Sequence, residues 1–206
     1  MLMHELKNPL AVIDLAQQTS DDTQTKDYVN RNVSIIRGIL DQCLNVDRVS
    51  DGKLNIQLQD WDLIELIDHV LEQNKTYTDR VMLYSTGTVK PICTDYECFH
   101  TVLTNLIDNA VRYSEPDQPI DLVIDTETNA LGAAGTTITV RNKPGVASWP
   151  DGDKIFQKYY RSTGAKSISG TGLGLFLVRN ICTLLGGTCR YEPTDTHVSF
   201  KVWLPN

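Results

Sequence analysis

The sequence predicts an α+β chain: an N-terminal antiparallel helical hairpin, then helices packed on one face of a mixed sheet. Two observations carry this. Up to about residue 50, apolar residues recur at three- and four-residue steps with a single polar break. From residue 53 onward, short alternating runs and helical stripes follow one another without a repeat. The size, 206 residues with 41% hydrophobic and 22% charged, suits one or two domains.

The first helix spans about 2 to 18, with Leu2, Leu6, Leu10 and Ile13 on its stripe. Pro9 cannot donate to the carbonyl of Glu5, so a loosening or kink is expected there. Thr19 to Thr25 breaks the pattern and offers capping residues. The second helix, about 26 to 50, carries Val29, Val33, Ile36, Leu40 and Cys43, widened by Ile39 and Leu44. Such a hairpin cannot bury both stripes alone. Either a second copy completes a four-helix bundle, or the pair packs on the rest of the chain.

Asp51-Gly52 reads as a hinge, and Lys53 to Gln59 alternates like a strand. Trp61 to Gln73 is helical, with Asp60 or Asp62 as cap. Val81 to Tyr84 is a short strand, and Asp95 opens a long helix that ends near Tyr113. Ile120 to Asp125 and Thr136 to Arg141 are strands joined by a polar turn. Residues 142 to 170 form a long irregular stretch with a helical piece near Lys154 to Tyr160; stretches of this length are usually functional. A helix from Leu173 stops at Gly186-Gly187, and Thr188 to Glu192 and His197 to Leu204 close as a hairpin.

Composition excludes several classes. The net charge of −7 argues against nucleic acid as a partner. No apolar run approaches the ~20 residues that span a membrane, and His4, Glu5 and Lys7 interrupt any signal-peptide pattern. Cys43, Cys93, Cys98, Cys182 and Cys189 lack metal-binding spacing and read as buried cytosolic thiols.

Three groups of residues carry chemistry. Gly170-Thr171-Gly172-Leu173-Gly174-Leu175 runs into an apolar helix, so bare N–H groups and a helix N-terminus make a phosphate cradle. Asn105, Asn109 and Arg112 share one helix face, opposite Val102, Leu103, Leu106 and Ala110. An asparagine oxygen can ligate Mg²⁺ without adding charge, and an arginine can meet a phosphate. At the start, His4 and Asn8 share a face, with Glu5 beside the histidine. An imidazole is a nucleophile that an adjacent carboxylate can activate; Asn8 could orient a water.

These motifs resemble those of the sensor histidine kinases of two-component signalling. His4-Glu-Leu-Lys-Asn-Pro-Leu10 is similar to the H-box of that family, and Asn105-Leu-Ile-Asp-Asn109-Ala-Val-Arg-Tyr-Ser114 to its N-box. Lys154-Ile-Phe-Gln-Lys-Tyr-Tyr-Arg161 is similar to the F-box, and Gly170 to Leu175 to the G2-box. The resemblance implies that His4 is the phosphoacceptor, Glu5 its base, and Asn8 a positioner of hydrolytic water. It implies that Asn109 holds Mg²⁺ and that Asn105, Arg112, Tyr113, Asn142 and Gly145 lie at the nucleotide. Arg161 would approach the γ-phosphate, and Gly170, Thr171, Gly172, Leu173 and Gly174 would hold the phosphates of ATP under a lid of about 146 to 170. The implied organisation is a dimerising hairpin over 1–50 and an ATP-binding α/β sandwich over 53–206. The implied partners are a second copy and the receiver domain of a response regulator.

Two departures stand out. Where the family has an acidic G1-box, Arg141-Asn142-Lys143-Pro144-Gly145 places an amide, and one glycine is missing. Asn142 could still meet adenine, without charge, with Asp151 and Asp153 as the substitutes in reach of the sequence. In addition, only three residues precede His4, so Met1 reads as a boundary inside a longer chain. This piece would be cytoplasmic, and a missing upstream sensor region would anchor the parent in the membrane.

Overall fold

The computed structural model describes residues 2–18, 23–73, 78–165 and 168–206, with Leu2, His4, Gln17, Gln18, Thr23, Gln24 and Thr78 described by backbone alone. Helices α1 (Leu2–Gln18) and α2 (Thr23–Ser50) pack against each other. So short a connection between packed helices makes the pair antiparallel. The break from 19 to 22 lies outside the described residues. Helix α1 runs on through Pro9, so the expected loosening does not end the helix.

Strand β1 is only Gln59–Trp61. The alternation over 53–58 is not a strand, contrary to the sequence expectation. Leu54 and Ile56 instead pack on the core from irregular backbone, and the Gln57 N–H goes to Asp95 Oδ2 at 2.8 Å rather than to a ladder. Asp62, not Asp60, caps α3 (Leu63–Gln73): its Oδ1 accepts from the N–H groups of Ile64 and Glu65. Strand β2 (Val81–Ser85) follows, then the short β3 (Ile92–Thr94), which pairs antiparallel with β1. Asp95 caps α4 (Tyr96–Tyr113), accepting from Cys98 N–H at 2.9 Å.

Strands β4 (Ile120–Thr128) and β5 (Ala134–Asn142) are longer than the sequence pattern implies. Helix α5 (Gly174–Leu184) and strands β6 (Thr188–Tyr191) and β7 (Val198–Pro205) complete the chain. The main sheet has the order β2-β4-β5-β7-β6, with β2 and β4 parallel and the other pairs antiparallel. Helices α3, α4 and α5 supply Leu66, Leu103, Leu106, Leu177 and Ile181 to a core shared with Leu122, Val140 and Val202. This is the mixed-sheet sandwich that the sequence predicts.

The stretch from Lys154 to Tyr160 holds turns rather than the expected helical piece; a 3₁₀ turn occurs later, at Thr163–Ala165. The Tyr159 N–H bonds the Gly172 carbonyl at 2.9 Å, a partner that a helix there would have denied it. Of the two fates weighed for the hairpin, packing on the rest of the chain is visible at its end. Val46 and Val49 near the end of α2 join the sandwich core, while Leu10, Leu40 and Leu44 remain exposed. Among the cysteines, Cys98 and Cys182 are buried but Cys93 is exposed, against the expectation of buried thiols. Burial beside Asp95 pushes the Cys98 thiol up to about 12.

Candidate nucleotide site between hairpin and sandwich

A cavity of about 350 Å³ lies where α1 and α2 meet α4, the end of β5 and the glycine-rich turn. Its lining gathers Glu5, Asn105, Asn109, Arg112, Tyr113, Asn142, Arg161, Gly170, Thr171, Gly172 and Gly174 from the residues singled out in the sequence. Four motifs distant in the chain therefore share one chamber.

Helical spacing sets the first wall. Asn105, Asn109 and Arg112 face the cavity while Val102, Leu103, Leu106 and Ala110 are buried on the other side of α4. Arg112 reaches across to the Ser169 carbonyl at 2.7 Å, and Asn105 donates to the Thr101 carbonyl at 2.7 Å.

Close approach marks these glycines, most strictly Gly172. Gly172 has φ +69, and a Cβ there would lie 2.8 Å from the backbone of Tyr159 and Tyr160. A Cβ on Gly174 would lie 2.6 Å from Asn105 Oδ1. One on Gly170 would lie 3.1 Å from Arg112 Nη1 and 3.6 Å from the Tyr113 hydroxyl. The turn thus nests on the two motifs that precede it in the chain.

The hairpin contributes an acid to the same place. Glu5 is 8% exposed. Its Oε1 stands 3.3 Å from Arg161 Nη1, and its Oε2 accepts from Ser169 Oγ at 2.7 Å and from the Gly170 N–H at 3.1 Å. Arg161 also donates to the carbonyls of Ala165 and Ile168. A carboxylate therefore rests on donors of the kind that suit a phosphate oxygen.

Three sequence expectations are not met in the cavity wall. Gly145 does not line it; its missing side chain makes room for the Ser114 carbonyl, 2.7 Å from where a Cβ would stand. Leu173 is 1% exposed and its side chain belongs to the core, so only its backbone lies near the turn. Asp151 and Asp153 are absent from the lining, and Asp151 pairs with Lys154 at 2.7 Å instead. Asn142 does face the cavity, at the end of β5, 3% exposed, with Nδ2 donating to the Lys143 carbonyl at 3.2 Å. Asn8 is exposed on α1. His4 belongs to α1, and its side chain lies outside the described residues.

The sequence reading missed Gln42 and Ser169. Gln42 Nε2 donates to Asn105 Oδ1 at 3.0 Å, and Gln42 Oε1 accepts from Thr171 Oγ1 at 2.5 Å. Its only signal in the sequence was a polar residue beside the apolar stripe of α2. Among the described residues, no group of three His, Cys, Asp or Glu could hold a metal ion. A metal in this cavity would need a neutral oxygen such as that of Asn109 together with oxygens of the bound molecule, and the wall supplies that.

Residues 94–206 match the family described as histidine kinase-, DNA gyrase B-, and HSP90-like ATPase. The match covers more than half of the chain, and the chain belongs to this ATPase family. Its similarity extends further, to sensor kinases. The sensor histidine kinase HprS of Escherichia coli (strain K12) is 27% identical over 99% of this chain and 46% of its own length. The swarming motility regulation sensor protein RssA of Serratia marcescens is 26% identical over 98% of this chain and 45% of its own. The resemblance to sensor histidine kinases drawn from the four motifs is thereby borne out. The chain spans about half the length of the curated relatives it matches.

Solved structures share the fold across both parts of the chain. The histidine kinase AdeS of Acinetobacter baumannii superposes with a TM-score of 0.75 at 20% identity, over 98% of this chain and 97% of that one. Full-length ShkA in complex with AMPPNP superposes at 0.67 with 19% identity, over 97% of this chain and 42% of that one.

Proposed function

We propose that this chain is the kinase core of a sensor histidine kinase. It binds ATP with Mg²⁺ in the cavity, phosphorylates His4, and passes the phosphoryl group to an aspartate of a response regulator. The observation that carries this reading is the reach of Glu5. A residue adjacent to His4 contacts Arg161 and the Gly170 N–H inside a chamber walled by Asn105, Asn109 and Thr171.

The roles follow from chemistry. The Gly170–Gly174 turn and the N-terminus of α5 present donors to phosphate oxygens. Arg161 and Arg112 meet charge on the phosphates. Asn109 lends an uncharged oxygen to Mg²⁺, which when bound neutralises and orients the phosphate oxygens. Glu5 takes the imidazole proton as His4 attacks. Tyr113 and Asn142 flank the base end. Asn8, exposed one turn after His4, orients a water for phosphatase action toward the regulator.

The chain divides into a hairpin of 1–50 and an ATP-binding domain of 53–206, with the bend at Asp51-Gly52 as hinge. The exposed Leu10, Leu40 and Leu44 suit a second copy of the hairpin, giving a four-helix dimer. No helix among the described residues is long and apolar enough to cross a membrane. Because the chain spans about half the length of relatives named as sensor proteins, the proposal assigns anchoring to the rest of the parent and the cytoplasm to this piece. One observation favours a second reading, a nucleotide-binding scaffold with little kinase activity: the amide of Asn142 stands where an acid would hold adenine and is already engaged with Lys143.

The test is transfer of labelled γ-phosphate from Mg-ATP, with His4→Gln beside it. Acid-labile, base-stable label that disappears in the variant is the expected result. Folded protein that binds nucleotide but takes no label, even when dimeric, would favour the scaffold.

A further inference from the structure

We propose that Gln42 is a positioning residue for phosphoryl transfer, setting the hairpin and the nucleotide site in one register; this rests on the kinase reading above. The observation is a run of hydrogen bonds with a single direction. The Leu173 N–H donates to Thr171 Oγ1 at 3.2 Å, and the Thr171 hydroxyl donates to Gln42 Oε1 at 2.5 Å. Gln42 Nε2 donates to Asn105 Oδ1 at 3.0 Å, and Asn105 Nδ2 donates to the Thr101 carbonyl at 2.7 Å.

The direction is forced, not chosen. The atom of Thr101 that Asn105 meets is its backbone carbonyl, which only accepts, so the Asn105 amide turns its NH₂ there and its oxygen toward α2. Gln42 must then present its NH₂ to Asn105, which leaves its oxygen for Thr171. Thr171, having given its proton, receives the Leu173 N–H with its lone pair. One amide on the hairpin thereby reads two motifs of the nucleotide site at once.

The packing agrees independently. A Cβ on Gly174 would stand 2.6 Å from Asn105 Oδ1, an oxygen that Gln42 Nε2 holds in place, and in ordinary contact with Gln42 Nε2 itself at 3.5 Å. Helices α2, α4 and α5 meet at this point with no space for another side chain. Gly38 and Ile39, one turn before Gln42, line the cavity, while Val46 one turn after it enters the sandwich core. Gln42 sits where α2 passes from the nucleotide to the core.

Each end of the Gln42 amide holds a protein group, so its role is positioning although its side chain lines the cavity. It is also uncharged, so it joins the two parts without repelling phosphates. The register it fixes is the one in which α1, packed on α2, lies beside the turn; the Glu5 side chain meets Arg161 and Gly170 there without ligand and can swing off those donors while the bridge stays made. Loss of the bridge should leave nucleotide binding largely intact and impair delivery of His4.

The test uses the full chain with Gln42→Ala and Gln42→Met, the second preserving volume without hydrogen bonds. Three quantities are compared with wild type: amide hydrogen exchange over 170–174 without nucleotide, the dissociation constant of a fluorescent ATP analogue with Mg²⁺, and the rate of His4 phosphorylation at saturating ATP. Both variants should exchange about tenfold faster in that turn. They should phosphorylate about tenfold more slowly, with affinity changed by less than about threefold. Wild-type exchange and rate in Gln42→Met would reduce the contact to packing and overturn the proposal. So would affinity and rate falling together, which would make Gln42 a ligand contact. If the wild-type chain took no label on His4, the kinase reading would fall; the exchange comparison would still decide whether Gln42 joins the two parts.

Discussion

The Glu5 carboxylate lies 3.3 Å from the Arg161 guanidinium, with both side chains largely withdrawn from water, and it also accepts the Gly170 N–H. An internal anion thus occupies donors suited to a phosphate. On the kinase reading proposed above, nucleotide would displace it and free the carboxylate for His4. Glu5→Gln should separate these effects. With the competing charge removed, nucleotide should bind severalfold more tightly, while phosphorylation of His4 should fall about 10²-fold through loss of the base. Equilibrium binding and single-turnover labelling measure the two. Weaker binding in Glu5→Gln would mean the carboxylate supports the site rather than competes for it.

Gly172 allows a sharp test of the turn. Its φ of +69 and the 2.8 Å approach of the Tyr159 and Tyr160 backbone leave no relaxed place for a methyl group. Gly172→Ala should lower stability by about 1–3 kcal/mol from backbone strain, and steric conflict with a backbone that cannot swing away should abolish nucleotide binding. Thermal unfolding and nucleotide titration would show it. A variant that binds as wild type would mean the turn is not held against Tyr159 when ligand is present.

Asp95 should contribute to an acid limb of stability. Burial raises its pKa, but N–H groups of Cys98 and Gln57 outweigh that and hold it below the usual aspartate value. A lowered folded pKa contributes stability that is fully present above the unfolded value, ~3.9, and is lost as pH falls through the folded one. Asp95→Ala should cost about 1–2 kcal/mol near neutrality. Asp95→Asn, which still caps α4, should lose less and flatten the dependence below about pH 4. Denaturant unfolding at several pH values checks both. An Asp95→Asn curve as steep as wild type would assign the acid limb to other carboxylates.

The sequence showed local features well and junctions poorly. The faces of α4 were legible because Asn105, Asn109 and Arg112 obey helical spacing, and the cap at Asp95 was legible from residue type. The glycine turn was legible as a cradle, but not the reason for each glycine, which lies in side chains and backbone from other motifs. The alternation of Lys53 to Gln59 misled because Leu54 and Ile56 bury against the core without a neighbouring strand. Gln42 was invisible because its partners are 63 and 129 positions away.

Asn142 offers the clearest link between one side chain and ligand choice. It is 3% exposed, at the end of β5, and its NH₂ is held by the Lys143 carbonyl. Asn142→Asp would replace that donor with a buried acceptor, leaving the Lys143 carbonyl without it. Without nucleotide the variant should lose about 1–3 kcal/mol. An adenine amino group would supply the missing donor, so ATP should restore much of that loss while GTP should not. The thermal shift on adding ATP should exceed that of wild type, and preference for ATP over GTP should rise. Equal shifts with both nucleotides would mean that Asn142 does not face the base, and the base end of the cavity would have to be sought elsewhere on its wall.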